Sequence, residues 1–187
     1  INETDDEKVL TNDPMRCFYC KKSIFSKAIE IAKNNNMTYV VDGTNLSDLS
    51  LYRPGLRALE ELNIISPLAK CNFEKKDVRE LAEKLNISVS QRPSKPCLAT
   101  RFPYKKVLPV EKFNMVEQGE EILTNYGFLI NRIRLYEDVT RIEIPVSDFN
   151  DFILKRENII KDLKEIGFKY INLDIEGFRS GSMDEVL

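Results

Sequence analysis

Pro93, Pro96 and Pro103 interrupt the chain near its middle. A proline inside a helix removes a backbone hydrogen bond and clashes with the preceding turn, so residues 88–107 cannot form a regular helix. The sequence before this stretch and the sequence after it follow different patterns. We therefore interpret 88–107 as a functional loop at the boundary between two domains, residues 1–103 and residues 104–187.

The first domain shows short apolar runs that alternate with amphipathic segments. The pattern predicts a helix over about 21–36, a buried strand at 38–42, a helix that begins at Pro54, a second strand at 64–68 and a helix over 74–86. Strands and helices in alternation indicate a parallel α/β sheet.

The second domain has a different order of elements. The sequence predicts a helix over 109–125, strands at 128–136 and 139–146, a helix over 147–166 and a last strand at 168–175. This α-β-β-α-β order favours a small α+β domain with a helix-backed antiparallel sheet.

The composition limits which binding partners and which cellular compartment we expect for the protein. The 187 residues carry 28 basic and 30 acidic side chains, a net charge of -2, so no general basic field favours nucleic acid as a partner. No apolar run approaches the ~18 residues that span a bilayer, and the acidic start does not resemble a signal peptide. We expect a cytoplasmic protein without a membrane partner, in which thiols stay reduced.

Three cysteines form the strongest chemical signal. The sequence contains no histidine, which excludes an imidazole base and a Ser-His-Asp triad. Cys17 and Cys20 form a CxxC pair, and Cys97 follows in the stretch RPSKPCLATR. Three thiolates fit an iron–sulfur cluster with one open iron, or a zinc site completed by another ligand. The alternative is a zinc staple formed by the CxxC pair alone. Cys71 is interpreted as an ordinary small buried residue.

A second candidate site is the stretch VVDGTN. Asp42, Gly43, Thr44 and Asn45 follow a predicted buried strand. The carboxyl edge of a parallel sheet is where ligands bind in such folds, so backbone amides and small polar side chains here predict a ligand site. An ordinary turn is the alternative.

The helix over 109–125 carries a carboxylate in an apolar environment. Glu120 lies on the stripe that Val116 and Leu123 define. Burying a carboxylate at such a position costs free energy unless a cation pairs with it or it binds a ligand. Glu120 is therefore a candidate metal ligand or charge partner.

The two strands that follow predict an anion site. A two-residue turn between them places Arg134 opposite Arg141 and Arg132 opposite Glu143, with all four side chains on one face. Two arginines directly opposed are destabilising unless an anion lies between them, so we expect a bound phosphate or carboxylate. A solvated face is the alternative. The later loop EGFRSGSMDE adds Arg179 and small residues whose amides and hydroxyls suit an anion.

Several stretches taken together resemble one family. NDPMRCFYCK, YVVDGTNLSDLSLYRPGLRALEELNIISPL, KKDVRELAEKLN, PSKPCLATRFPY and EGFRSGSMDEVL are similar to LarE, the ATP-dependent sulfur transferases of nickel-pincer nucleotide biosynthesis. The resemblance implies the C-terminal part of a PP-loop ATP pyrophosphatase domain, with a parallel sheet, in residues 1–103. It also implies a substrate and oligomerisation domain in residues 104–187 and a homo-oligomer.

The resemblance implies a two-step reaction. ATP with Mg²⁺ adenylates a carboxylate of pyridinium-3,5-dicarboxylate mononucleotide, and sulfur then displaces AMP to leave a thiocarboxylate. In members that carry the CxxC pair, three cysteines hold a [4Fe-4S] cluster that carries the sulfur, and Cys17, Cys20 and Cys97 match that set. The sulfur donor is not implied.

The resemblance also implies roles for individual residues. Asp42, Gly43, Thr44 and Asn45 are expected near the nucleotide, and Arg101 near the sulfur centre. The residues expected to contact the substrate or a metal are Arg132, Arg134, Arg179, Glu120 and Glu143.

One motif of the family does not occur in the sequence. The SGGxDS phosphate loop is absent, and we expect it upstream of Ile1, in a longer chain. The 187 residues alone are then predicted not to hydrolyse ATP. The alternatives to a LarE-type enzyme are another PP-loop enzyme, such as a cluster-dependent tRNA thiolase, and a zinc-stapled module without catalytic activity.

Overall fold

The computed structural model of the chain describes residues 6–50, 53–91, 95–183 and 185. These residues form two compact units, Ile1–Ser94 and Lys95–Leu187, which we call unit 1 and unit 2. The division falls inside the proline-containing stretch 88–107. None of the helices in the described ranges is long and apolar enough to cross a membrane.

Unit 1 is mainly helical. Its helices are α1 (Glu7–Leu10), α2 (Arg16–Asn34), α3 (Leu46–Leu49), α4 (Pro54–Glu61), α5 (Pro67–Lys70) and α6 (Lys75–Lys84). Helix α4 begins at Pro54 as predicted, because the missing N–H and fixed φ of proline suit the first helical position. Helix α2 begins earlier than predicted and includes Cys17 and Cys20, since Arg16 and Phe18 are buried in its first turn.

The two strands predicted in unit 1 are reduced to one parallel bridge. Val41 pairs with Ile65, and the Asp42 N–H donates to the Ile65 carbonyl over 3.0 Å. The parallel direction agrees with the prediction, but the described residues of unit 1 form no longer ladder. Tyr39 and Val41 are 70% and 56% exposed, so this segment lacks the side-chain packing that stabilises a strand.

Unit 2 contains the one sheet of the described residues. Its helices are α7 (Phe113–Asn125) and α8 (Phe149–Glu165), its strands are β1 (Arg132–Tyr136), β2 (Val139–Glu143) and β3 (Tyr170–Leu173), and short 3₁₀ turns cover Leu98–Arg101, Val110–Lys112 and Val146–Asp148. The strand order is β1-β2-β3. All three strands are shorter than predicted: β1 begins later, β2 ends earlier, and β3 is shorter at both ends.

The sheet is mixed, so the prediction of an antiparallel sheet was wrong for its last strand. β1 and β2 form an antiparallel hairpin with the predicted register, in which Arg134 faces Arg141 and Ile133 faces Ile142. β3 pairs in parallel with β2. The reason is the connection through α8, which returns the chain to the starting end of β2 before β3 begins.

The two faces of this sheet differ in chemistry. Ile133 and Ile142 are fully buried on the face that packs toward the helices. Gly119 of α7 allows a close approach there, since a Cβ at this position would lie 2.7 Å from Ile133 Cδ1. The opposite face carries Arg132, Arg134, Arg141 and Glu143, so the fold places a charged cluster on a rigid hairpin.

Candidate functional site: an arginine-lined cavity and two exposed cysteine segments

Arg134 is the centre of the charged cluster in unit 2. It is 1% exposed, and its Nε donates to Glu143 Oε1. Its two terminal nitrogens donate to the Thr100 carbonyl and to Ser182 Oγ, each over 2.8 Å. Every nitrogen of this guanidinium therefore has an acceptor, and the side chain ties the hairpin to two loops.

Arg101 and Glu120 form a second buried ion pair. The Nε and Nη2 of Arg101 donate to the two oxygens of Glu120 over 2.7 and 2.9 Å. Glu120 Oε1 also accepts the backbone N–H of Ile133 over 3.1 Å. The ion pair with Arg101 thus explains how a carboxylate is accommodated on the apolar stripe of α7. That Glu120 binds a metal stays a prediction, and such a metal would compete with Arg101 for the carboxylate.

Arg101 also holds the segment that carries Cys97. Its Nη1 donates to the carbonyls of Pro96 and Cys97 over 3.2 and 3.4 Å. The side chain of Cys97 itself is exposed. A buried arginine therefore fixes the backbone beside an accessible thiol, and a direct role of Arg101 near a sulfur centre stays a prediction.

Glu143 and Arg132 are incompletely paired. Glu143 Oε1 accepts from Arg134 and, over 3.0 Å, from Arg141, whereas the buried Oε2 has no hydrogen-bond partner among the described residues. Arg132 lies over the ring of Phe178 at 4.8 Å, and its Nε is buried without an acceptor in the same part of the chain. Burial, then the positive charges of Arg101 and Arg134, lowers the pKa of Arg132 to about 10.

A cavity of about 360 Å³ opens beside this cluster. Phe102, Pro103, Tyr104, Tyr136, Ser182 and Met183 contribute to its wall, and the charged lining residues are Arg101, Lys105, Arg134, Arg141, Arg179 and Glu185. Five basic residues and one acidic residue line it, a composition that favours an anion as the ligand. We call it the anion cavity.

The sequence anticipated some of this lining and missed the rest. Arg134 and Arg179 were predicted from the hairpin and the last loop, whereas Arg132 does not line the cavity. Lys105 was missed, and its sequence surroundings carried no signal that it lines the cavity. The sequence analysis named Arg141 only as the residue opposite Arg134 in the hairpin. That register was the signal that placed Arg141 on the same face as Arg134.

Asp42 organises the candidate site of unit 1. Its carboxylate accepts from the hydroxyls of Ser66 and Thr44, and the Lys21 ammonium lies 3.6 Å away. Burial alone would raise the pKa of Asp42, but the hydrogen bonds from Ser66 and Thr44 and the charge of Lys21 outweigh it and lower the pKa.

The residues around Asp42 shape a short turn into α3. A Cβ built on Gly43 would meet nothing within 4 Å, so the backbone at this turn is open. Asn45 is the N-cap of α3, and its N–H donates to Asp48 over 3.2 Å. Asp42, Gly43, Thr44 and Asn45 thus lie together as predicted from their sequence, and their nucleotide contacts stay a prediction.

The CxxC pair lies next to this turn. Cys17 and Cys20 are three residues apart in the first turn of α2, where i and i+3 side chains are neighbours. Lys21 follows them directly and pairs with Asp42, so unit 1 brings the CxxC turn and the DGTN turn together. A Cβ on Gly55 would lie 3.3 Å from the Cys17 carbonyl, which shows how closely α4 packs on α2.

All four cysteines are described, and none of them forms a disulfide. Cys71 is exposed, so its interpretation as a buried residue was wrong. It is the C-cap of the short helix α5, a position that faces solvent. Within the described part of either unit, no group of three Cys, Asp or Glu side chains is placed to hold a metal. The set Cys17, Cys20 and Cys97 draws on both units and stays a prediction.

Comparisons with known proteins identify the relatives of the chain. No family model matches it. An uncharacterized protein of Methanocaldococcus jannaschii is 41% identical over 174 residues, 93% of the chain and 68% of that protein. The pyridinium-3,5-bisthiocarboxylic acid mononucleotide synthase of Lactiplantibacillus plantarum is 35% identical over 187 residues, 100% of the chain and 68% of the synthase. An uncharacterized protein of Synechocystis is 33% identical over 188 residues, 100% of the chain and 70% of that protein.

These relationships extend over almost the entire chain. The named relative is the synthase of a thiocarboxylated pyridinium mononucleotide, which agrees with the resemblance found from the motifs. The chain therefore belongs to the LarE family, that of the pyridinium-3,5-bisthiocarboxylic acid mononucleotide synthase.

Proposed function

We propose that the protein is an ATP-dependent sulfur transferase that converts a carboxylate of pyridinium-3,5-dicarboxylate mononucleotide into a thiocarboxylate. The observation that carries the proposal is the 35% identity to the synthase over 100% of the chain. In this reaction a substrate carboxylate attacks the α-phosphorus of ATP and pyrophosphate leaves. A sulfur nucleophile then attacks the resulting acyl adenylate at its carbonyl carbon, and AMP leaves.

The anion cavity suits this substrate. A pyridinium dicarboxylate mononucleotide carries a phosphate and two carboxylates, and the lining of the cavity is mostly basic. Guanidinium groups bind phosphate and carboxylate through paired N–H donors. Tyr104 and Tyr136 add flat apolar surface next to these charges, which suits a heteroaromatic ring.

Cys17, Cys20 and Cys97 are the residues that would hold the [4Fe-4S] cluster. None of them is in a disulfide, two of them share one helical turn, and the chain offers no histidine in their place. When bound by three cysteines, such a cluster supplies an open iron that carries the sulfur for transfer. Arg101 then serves to fix the backbone of Cys97 through its bonds to the Pro96 and Cys97 carbonyls.

ATP and Mg²⁺ are the further cofactors of the proposal. Asp42, Gly43, Thr44 and Asn45 form the turn that we assign to the nucleotide. The Asp42 carboxylate is held in its ionised form by Ser66, Thr44 and Lys21. A fixed carboxylate of this kind is suited to bind Mg²⁺ through water or a ribose hydroxyl through a hydrogen bond.

The test is a reaction of the full-length protein, purified without oxygen, with ATP, Mg²⁺ and pyridinium-3,5-dicarboxylate mononucleotide. We expect AMP, pyrophosphate and a product in which sulfur has replaced one oxygen, detected by mass. Cys97→Ser is expected to abolish the sulfur-containing product, whereas Cys71→Ser, an exposed cysteine outside the motifs, retains it. Thiolation of transfer RNA with no reaction of the mononucleotide would contradict the proposal.

A further inference from the structure

The arginines of the charged cluster fall into two groups. Arg101 and Arg134 are 3% and 1% exposed, and their donors are committed to Glu120, to Glu143 and to loop carbonyls or hydroxyls. A ligand that bound these guanidinium groups directly would first have to break buried, charge-assisted hydrogen bonds. Their arrangement indicates a role in fixing the walls of the anion cavity.

Arg141, in contrast, is partly exposed at the anion cavity. Its side chain is 35% exposed, lines the anion cavity and lies over the ring of Tyr136 at 5.3 Å. It shares Glu143 Oε1 with Arg134 through Nη2, and its buried Nε forms an ion pair with Asp174 over 3.4 Å. The two ion pairs occupy Nη2 and Nε, so Nη1 is the group that Arg141 offers to a ligand, while the strand β2, Glu143 and Asp174 fix its position.

Arg179 resembles Arg141 in these respects. It lines the same cavity, its side chain is 40% exposed, and its buried Nε has no hydrogen-bond acceptor in the described part of the chain. Its carboxylate partners, Glu176 and Glu185, are themselves 66% and 53% exposed. Exposed ion pairs contribute little free energy in water, so an anion can replace them at low cost.

We propose that Arg141 is a ligand-binding residue of the anion cavity, where it holds the phosphate of the nucleotide together with Arg179, and that Arg134 is a positioning residue. The inference rests on the proposed function, because the pyridinium mononucleotide supplies the phosphate. Arginine rather than lysine is suited to this task, since its planar guanidinium presents two parallel donors to phosphate oxygens. The direct opposition of Arg141 and Arg134 across the hairpin then serves to concentrate positive charge at the phosphate.

Binding of two probes to the full-length protein tests the inference. The probes are nicotinic acid mononucleotide and its riboside, which lacks the phosphate, and calorimetry gives both dissociation constants. We expect Arg141→Met to weaken binding of the mononucleotide by about 10- to 100-fold, and Arg141→Lys to weaken it less. The riboside is expected to bind the wild type and Arg141→Met equally. Arg156→Met is the control, because Arg156 is an exposed arginine of α8 in the same unit.

The outcomes separate the inference from the proposed function. Equal binding of the mononucleotide by the wild type and Arg141→Met would overturn the inference and leave the sulfur transferase untouched. Equal weakening of both probes, together with a lower Tm, would mean that Arg141 only stabilises the fold, which also overturns it. If the wild type bound neither the mononucleotide nor inorganic phosphate, the cavity would not be an anion site, whereas the proposed function would still be decided by the thiocarboxylate product.

Discussion

Arg132 lies directly opposite Glu143 in the β1–β2 hairpin, yet Glu143 forms its ion pairs with Arg134 and Arg141. Arg132 is 7% exposed and, among the described residues, forms no ion pair with a carboxylate. A buried cation without a carboxylate partner is destabilising. The hairpin thus holds one positive charge in excess, next to the cavity that we assign to the substrate.

Replacement of this cation is predicted to stabilise the free protein. Arg132→Met removes an unpaired buried charge and keeps the side-chain volume over Phe178, so we expect the free energy of unfolding to rise by about 1 to 3 kcal/mol. Urea unfolding without ligand measures it, with Arg156→Met as the control. A clear loss of stability in the variant would show that Arg132 has a structural partner in the fold.

The lowered pKa of Arg132 predicts that the stability of the wild type changes with pH in the alkaline range. The pKa of Arg132 is about 10 in the folded protein, well below the usual value of an arginine. Between these two values the unfolded chain binds more protons at this site than the folded chain, so the wild type gains stability as the pH rises. The advantage of Arg132→Met over the wild type is therefore expected to shrink between about pH 8 and about pH 10.5. Urea unfolding of both proteins at the two pH values measures it, and a constant or growing difference would contradict the assigned cause.

The buried ion pair of Arg101 and Glu120 predicts that substitutions of these two residues have strongly non-additive effects on the free energy of unfolding. Arg101→Met leaves the carboxylate of Glu120 buried without its two guanidinium donors, and we expect a loss of about 3 to 5 kcal/mol in the free energy of unfolding. The double variant Arg101→Met with Glu120→Leu removes both charges and is expected to recover most of that loss. A double-mutant cycle by urea unfolding measures the coupling. Additive effects of the two single changes would refute the pairing.

The local pattern of the sequence was sufficient to predict the register of the β1–β2 hairpin. The two-residue turn at Glu137 and Asp138 fixes which residues face one another, because side chains alternate along a strand. Arg134 accordingly faces Arg141, as predicted. Helical spacing in turn placed Glu120 among apolar residues and anticipated that it needs a partner.

The partners themselves could not be read from local patterns. Glu120 pairs with Arg101, which lies in the loop after the prolines, and Arg134 reaches Ser182 near the other end of unit 2. Periodicity carries no information on contacts between distant segments, and it cannot tell whether a strand joins a sheet in parallel. The parallel direction of β3 could have been inferred from the helix predicted between the last two strands, because such a crossover connection joins parallel neighbours. The pairing at Val41 is limited to a short bridge because the segment lacks the packing that a longer strand requires.

The three motif cysteines give the last prediction, which concerns metal content. If Cys17, Cys20 and Cys97 hold a [4Fe-4S] cluster, the protein purified without oxygen contains about four irons and four sulfides per chain and absorbs near ~400 nm. Cys97→Ala is expected to lose this iron, because two thiolates alone do not retain the cluster. Cys71→Ala is the matched control, an exposed cysteine that forms no disulfide, and should keep the full iron content. Stoichiometric zinc that survives in Cys97→Ala would instead identify a structural staple formed by the CxxC pair.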